Sequence, residues 1–193
     1  MHFNQRTHVF QLTAGAAVML MCLASTARAQ QRETITALAE VPGGTAGPEA
    51  VTITIDHFAT DAERDALVSA VKKGGTPAAR QMLRTRDAAG TVQVGPNKAV
   101  VKHAFSRSVG AGRLITVITG EPIALPGKTE PTAGGDSVYQ LGLLLIEVPD
   151  SGTSGGELLP SASVRVDEQG AIVTEADKPT NVVRLRNVAK KTN

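Results

Sequence analysis

The sequence VTITIDHFATDAE, at residues 51–63, joins a strand pattern to the start of a helix. Its first six residues alternate strictly, so Val51, Ile53 and Ile55 share one face, and this period of two predicts a half-buried strand over 51–56. A pattern with a helical period starts before the stretch ends. The sequence therefore predicts a strand that leads directly into a helix.

A helical insert is predicted over residues 60–86. Thr60 and Glu63 have the spacing of a capping box, in which the Thr60 hydroxyl accepts from the amide of Glu63 and the Glu63 carboxylate accepts from the amide of Thr60. The motif KKGG at 72–75 places basic residues and then glycines where this helix is expected to end. Thr76, which precedes a proline, is expected to cap a second, shorter helix.

Strand patterns resume after residue 90 and continue to the end of the chain. The motif LLLI at 143–146 is apolar on both faces, which predicts a central strand. The motifs GAG at 110–112 and DEQG at 167–170 predict hairpin turns. The stretches 120–137 and 149–157 are rich in Gly, Pro, Ser and Thr and are predicted as long loops. The predicted strands are 91–94, 98–105, 113–119, 138–148, 163–167, 171–175 and 182–188.

The predicted fold class is α+β: a mostly antiparallel sheet of about seven or eight strands, curled or sandwich-like, with the helical insert near residues 60–86 against one face or end. Residues 30–50 are predicted as a polar lead-in that holds one short strand. Residues 51–190 are predicted as a single β-rich domain, since no fixed-period repeat occurs.

Residues 1–29 are predicted to be a cleavable signal peptide. The first eleven residues carry one Arg and no acid, residues 12–24 form an apolar run, and an Ala-Arg-Ala site at 27–29 precedes Gln30. The apolar run is shorter than the ~20 residues that span a bilayer as a helix. Cleavage would remove the one cysteine, Cys22, and with it any disulfide or thiolate chemistry. The expected location is therefore the periplasm or the outside of the cell, with no membrane span after cleavage.

The elements together resemble a known family. The segment ATDAERDAL at 59–67 with its KKGG ending, the strand RLITVIT at 113–119 and the closing VRLRNV at 183–188 are similar to those of an uncharacterised family of exported bacterial proteins. The resemblance covers residues 50–190. Because this family has no assigned function, it implies no activity, cofactor or site residue for this chain.

Three short motifs match catalytic patterns and are interpreted as structural. GTSGG at 152–156 has the spacing of a nucleophile elbow around Ser154, but no helix is predicted after it and no histidine follows it. SAVK at 69–72 matches S-x-x-K without the accompanying motifs, which indicates an exposed helix face. GKT at 127–129 resembles the end of a phosphate-binding loop, but Pro122 stands where its first glycine is required.

The histidines carry the one open catalytic alternative. Counting by twos, His57 continues the apolar face of the first predicted strand, and His103 is expected to share a face with the residues two before and two after it. If those two strands pair, the rings approach each other; Asp56, Asp61 or Glu63 could add a further metal ligand, and Asp56 or Asp61 could act as a catalytic carboxylate. The alternative is a structural role, in which the histidine lies at the edge of the core and is hydrogen-bonded to the backbone.

Charge is segregated along the chain. Residues 64–113 carry ten Lys or Arg and two Asp, a net +8, whereas residues 114–177 carry two Lys or Arg and ten Asp or Glu, a net −8. We expect the two stretches to pair inside the fold, since opposite charges are favoured on neighbouring strands. The alternative is an open basic face for an anionic polymer or an acidic partner, with Arg80, Arg84 and Arg86 of the second helix as its exposed cations.

The leading interpretation is an exported, non-enzymatic structural or interaction domain of unknown ligand, with no cofactor, no metal and no catalytic residue. The alternative is an exported hydrolase or metal-dependent enzyme that uses His57 with Asp56 or Asp61. A protein or a component of the cell envelope is the expected kind of partner. Nucleic acid is not expected, because the chain from residue 30 onward has equal numbers of basic and acidic residues and few aromatic side chains for stacking.

Overall fold

The computed structural model describes residues 32–41, 47–128, 140–149, 154–168, 170–175 and 182–191. The predicted signal peptide at 1–29 lies outside the described residues. The described part of the chain contains one helix and ten strands. They are β1 (Glu33–Glu40), β2 (Glu49–Ile55), α1 (Asp61–Arg84), β3 (Gly90–Val94), β4 (Asn97–Ser108), β5 (Gly112–Thr119), β6 (Leu141–Pro149), β7 (Gly155–Ala162), β8 (Val164–Val166), β9 (Ile172–Thr174) and β10 (Val183–Lys191).

Eight strands form a closed antiparallel barrel in the order β1-β10-β7-β6-β5-β4-β3-β2, in which β2 pairs back onto β1. The mostly antiparallel β-fold with a helix is confirmed, but the curled or sandwich-like description is wrong. The pair of strands that closes the barrel is long, because β1 aligns with β2 from Glu33 opposite Ile55 to Ala39 opposite Glu49. β1, from the predicted lead-in, is bonded on its other side to β10, so the barrel wall has no free edge there.

The barrel interior is a packed apolar core. The predicted face of β2 is confirmed, because Val51, Ile53 and Ile55 are all buried in one cluster with inward residues of the other barrel strands. Burying a Val or Ile side chain of this kind stabilises the fold by roughly 1.5–3 kcal/mol. The filled interior leaves the outer surface of the barrel as the place where side chains of other chemistry gather.

The strand β6 is buried on both of its faces, as the motif LLLI predicts. Leu144 and Ile146 belong to the interior cluster, whereas Leu141 and Leu143 belong to a second cluster on the outside of the barrel wall. The helix α1 and the β8–β9 hairpin cover this outer cluster. Their buried contributions are Leu67, Val71, Ala79, Leu83 and Val164. No helix among the described residues combines the length and apolar character that crossing a membrane requires.

The helix α1 kinks at the motif KKGG where a stop was predicted. Gly74 has φ −154° and ψ 22°, and Gly75 has φ 61° and ψ −153°, so neither is helical. A second, shorter helical part follows the kink, as predicted, but the hydroxyl of Thr76 does not cap it: Thr76 is buried, and its hydroxyl accepts from the amide of Val164 at 2.8 Å. This hydrogen bond connects the kink to β8. The helix ends at Arg84, within the predicted insert near residues 60–86.

The strand β7 occupies the end of the predicted loop 149–157. A Cβ atom on Gly156 would lie 2.7 Å from the carbonyl oxygen of Leu145, so the close approach of β6 requires glycine there. Pro160 also lies within β7, beside the shift in pairing register that follows Leu159. Glycine and proline therefore indicate a bulged, closely packed strand here, whereas composition alone predicted a loop.

Candidate binding groove

A groove of about 650 Å³ lies outside the barrel, between α1 and the β8–β9 hairpin. The first half of α1 forms one wall, the outer faces of β4, β5 and β6 form the floor, and the hairpin forms the other wall. The volume falls in the range of about 300–1,000 Å³ that is common for small-molecule sites. The lining residues are Arg64, Asp65, Val68, Ser69, Lys72, His103, Phe105, Arg107, Leu114, Thr116, Leu145, Asp167, Gly170, Ala171, Ile172 and Val173.

The apolar part of this lining is only partly covered. Six large apolar side chains reach the groove from five different elements, and each is half-buried. They are Val68, Phe105, Leu114, Leu145, Ile172 and Val173. The outward face of a barrel strand is normally polar where it meets water, so these side chains form an apolar surface that a ligand could cover.

A bulge in β4 places two side chains in the groove. Val101 and Ala104 both belong to the interior cluster, although they are three residues apart, because the pairing register with β5 shifts between Val101 and His103. His103 and Phe105 consequently face the groove. The expectation that His103 shares a face with Val101 is therefore wrong, since it assumed an unbroken period of two.

His103 is held in one protonation state by its neighbours. The ring is 2% exposed, and the Nη1 atom of Arg86 lies 3.2 Å from its Nδ1 atom. Because a guanidinium can only donate, Nδ1 accepts this bond and the neutral ring carries its proton on Nε2. Burial, reinforced by the positive charge of Arg86 and opposed by Glu63, lowers the pKa of His103 to about 4.

Arg86 is fixed by a chain of further contacts. Its Nη2 atom donates to the carbonyl oxygen of Glu63 at 3.0 Å, and its own carbonyl oxygen accepts from the Nζ atom of Lys102 at 2.7 Å. Arg86 is therefore not the exposed cation that the alternative of an open basic face requires. It joins the start of α1 to the bulge of β4 and positions the imidazole of His103.

The start of α1 is fixed by the predicted capping box. The Thr60 hydroxyl accepts from the amide of Glu63 at 3.3 Å, and Glu63 Oε2 accepts from the amide of Thr60 at 2.8 Å. The bonds from the Thr60 backbone and side chain lower the pKa of Glu63, against the small opposing effect of burial. The helix wall of the groove therefore begins at a defined residue.

The acidic side chains that line the groove already accept hydrogen bonds. Arg64 binds Asp65 at 2.7 Å and also lies over the ring of Phe105, with its Cζ atom 5.0 Å from the ring centre. Asp167 Oδ1 accepts from the amide of Ala171 at 2.7 Å, which closes the hairpin turn. These contacts hold the walls of the groove in place.

Two cations of the lining are unengaged. Lys72 on α1 and Arg107 on β4 are exposed, and neither forms an ion pair or hydrogen bond with any described residue. They approach the groove from two different elements. The groove thus combines an apolar floor with two available positive charges at its rim.

The basic and acidic stretches of the sequence make little direct contact. Within the described ranges, one ion pair joins them, between Arg80 and Glu121 at 3.9 Å. Arg113 instead pairs with Glu33, from the N-terminal stretch. The expected pairing between the basic and acidic stretches is therefore found at a single described contact. Arg84, which is also on α1, is exposed and has no ion pair among the described residues.

The residues of the catalytic alternative form no hydrogen bond or ion pair with one another in the described part of the chain. Asp56 is bound to Arg32 at 2.7 Å, Asp61 is 82% exposed in the first turn of α1, and the half-buried His57 follows the end of β2. The strands that precede His57 and contain His103 do not pair, because β3 lies between them. Within the described ranges, no three His, Cys, Asp or Glu side chains are grouped to hold a metal ion.

The three motif matches have structural positions. Ser154 directly precedes β7, so a strand follows it where a nucleophile elbow needs a helix. Ser69 and Lys72 are exposed on α1, as interpreted, and both line the groove, but no hydrogen bond joins them in the described structure. Thr129 of the GKT motif lies outside the described residues.

Fold and site together define a closed antiparallel barrel with a solid core and a half-open amphipathic groove on its outer wall. Comparison of the chain with models of protein families, with curated proteins and with solved structures found no match.

Proposed function

We propose that the chain is an exported, non-enzymatic binding domain that holds a small molecule with an apolar body in the groove between α1 and the β8–β9 hairpin. The observation that carries this proposal is the set of half-buried apolar side chains around a volume of about 650 Å³. A concave, mainly apolar site with a few polar groups at its rim is what small-molecule recognition requires. The filled interior of the barrel supports an external site over one inside it.

The rigidity of the surroundings supports binding in a preformed groove. The helix wall starts at a complete capping box, and the floor belongs to strands that are hydrogen-bonded on both sides. A site that is already formed loses less conformational entropy when a ligand enters. More of the free energy gained by burying apolar surface therefore contributes to affinity.

The hydrolase or metal-dependent alternative gains no support from the geometry. A hydrolytic site needs a base within about 3.2 Å of its nucleophile or of one bridging water. Asp56 and Asp61 instead have arginine partners of their own, Arg32 at 2.7 Å and Arg64 at 3.5 Å.

A blocking variant tests the groove. We suggest titrating the purified protein with N-phenyl-1-naphthylamine, an uncharged apolar fluorophore. Ser69→Phe fills the groove from the helix wall, whereas Ala66→Phe adds the same side chain at an exposed position of α1 outside the lining. Saturable binding that Ser69→Phe abolishes and Ala66→Phe retains is the expected result. Equal binding by both variants would overturn the proposal.

Export is a separate part of the proposal and has its own test. The motivation is the apolar run at 12–24 followed by the Ala-Arg-Ala site at 27–29. Mass spectrometry of the protein recovered from the periplasm or medium should find Gln30, or its cyclised form, at the N-terminus. Recovery of intact Met1 in the membrane fraction would contradict it.

A further inference from the structure

The unengaged polar groups of the groove share one chemistry, because they can donate hydrogen bonds and two of them are cations. Lys72 and Arg107 have no ion-pair partner among the described residues. The acids of the lining, Asp65 and Asp167, are already bound to Arg64 and to the hairpin backbone. The groove therefore presents available positive charge and no unengaged carboxylate.

His103 adds a donor at the floor. Its Nδ1 atom accepts from Arg86, so its Nε2 atom carries the proton, and this atom has no hydrogen-bond partner within the described residues. A neutral imidazole fixed in this tautomer can donate to a ligand oxygen but cannot accept from a ligand donor. The floor thus favours the same kind of ligand group as the two cations.

The apolar surface lies next to these donors. Phe105 follows His103 by two residues on β4, and Arg107 follows Phe105 by two, so all three side chains line the groove in sequence along one strand. Leu114 and Leu145 continue the apolar floor onto β5 and β6. A ligand that spans this arrangement needs an apolar body and an acidic group within one small molecule.

We propose that the groove binds an amphipathic anion, a small molecule with an apolar body and one carboxylate, sulfonate or phosphate group, whose acidic group is held by Lys72 and Arg107. This inference rests on the proposed function, since it names the chemical class of ligand for the same groove. The inference adds a preference for charge: the groove binds an anion more tightly than an uncharged molecule of the same shape.

Two matched fluorophores separate charge from shape. The probes are 1-anilinonaphthalene-8-sulfonate and N-phenyl-1-naphthylamine, which share an apolar body and differ by the sulfonate. The wild-type protein should bind the sulfonate more tightly. Lys72→Gln with Arg107→Gln should weaken sulfonate binding about five- to tenfold, because each exposed ion pair contributes modestly, and should leave binding of the uncharged probe unchanged. The preference should shrink as salt is added.

A charge-matched double variant is the control. Lys73→Gln with Lys98→Gln also removes two exposed cations that are unpaired among the described residues, but neither lines the groove. It should retain full sulfonate binding. If both double variants weaken the sulfonate equally, or if the wild type binds both probes equally well, the anion inference is overturned while the groove proposal stands. If neither probe binds the wild type, both proposals fail.

Discussion

Glu33 and Arg113 form an ion pair that crosses the end of the barrel. They lie on β1 and β5, which are four strands apart in either direction around the ring, and both side chains continue the inward faces of their strands. Glu33 is 5% exposed and has a second cationic neighbour, Lys190, at 3.6 Å. The pair therefore places compensated charge at one end of the apolar core.

Removal of Arg113 should destabilise the barrel more than removal of a surface partner. Arg113→Met should cost about 2 kcal/mol, because it leaves the buried Glu33 carboxylate with weaker compensation. The control is Arg186→Met, which breaks an exposed pair with Glu40 at 3.0 Å and should cost under about 1 kcal/mol. Urea unfolding measures both, and equal losses would show that the crossing pair has no special role.

Acid should weaken the fold through His103. The unfolded histidine titrates near its ordinary pKa of 6.5, whereas in the fold burial and Arg86 hold the pKa at about 4. The unfolded chain therefore binds more protons in this window, and stability is lost as the pH falls from 6.5 towards 4, by roughly 3 kcal/mol in total.

The variant His103→Gln isolates this contribution, because glutamine still offers Arg86 an acceptor but does not titrate. Urea unfolding at pH 7 and at pH 4.5 should show a smaller acid loss in the variant than in the wild type. Identical losses in the two proteins would mean that His103 does not stay neutral in the folded state.

The contribution of the capping box at the start of α1 to the free energy of unfolding should be measurable with a single substitution. Thr60→Ala should lower the free energy of unfolding by about 1 kcal/mol, because an amide of the first turn loses its acceptor. Thr60→Ser keeps the hydroxyl and should be close to neutral. A thermal melt in which both variants behave alike would contradict the assigned role.

The glycine at position 142 should resist substitution. A Cβ atom there would lie 2.5 Å from Cγ1 of Ile123 and would overlap the hydroxyl of Thr119, so Gly142→Ala should cost about 2 kcal/mol. Gly155 is the matched control, since its nearest contact would be 3.9 Å away. Gly155→Ala should change the unfolding free energy by less than about 0.5 kcal/mol, and an equal cost at both positions would refute this packing argument.

Local elements of the fold could be predicted from the sequence because their causes are local. The alternation at 51–56, the Thr60 capping box and the doubly apolar motif at 143–146 each depend on residues close in the chain. Closure of the barrel depends on β1 pairing with β10 as well as with β2, and nothing in the pattern of β1 specifies a partner as distant in the chain as β10.

The groove could not be predicted because it depends on a bulge and on packing between distant elements. The register shift after Val101 turns His103 and Phe105 outward, and strict alternation gives no sign of it. The available signal was indirect: Leu114 and Ile115 are apolar at consecutive positions of β5, which indicates that both of its faces meet apolar surroundings.

Binding of an apolar ligand in the groove between α1 and the β8–β9 hairpin can be observed residue by residue in a two-dimensional amide NMR titration of the protein with N-phenyl-1-naphthylamine. We expect saturable shifts at Val68, Ser69, Thr116 and Ile172, with no more than small changes at Ile35 and Ile53 inside the barrel. Saturable shifts centred on the barrel interior, or no saturable shifts at the groove, would contradict it.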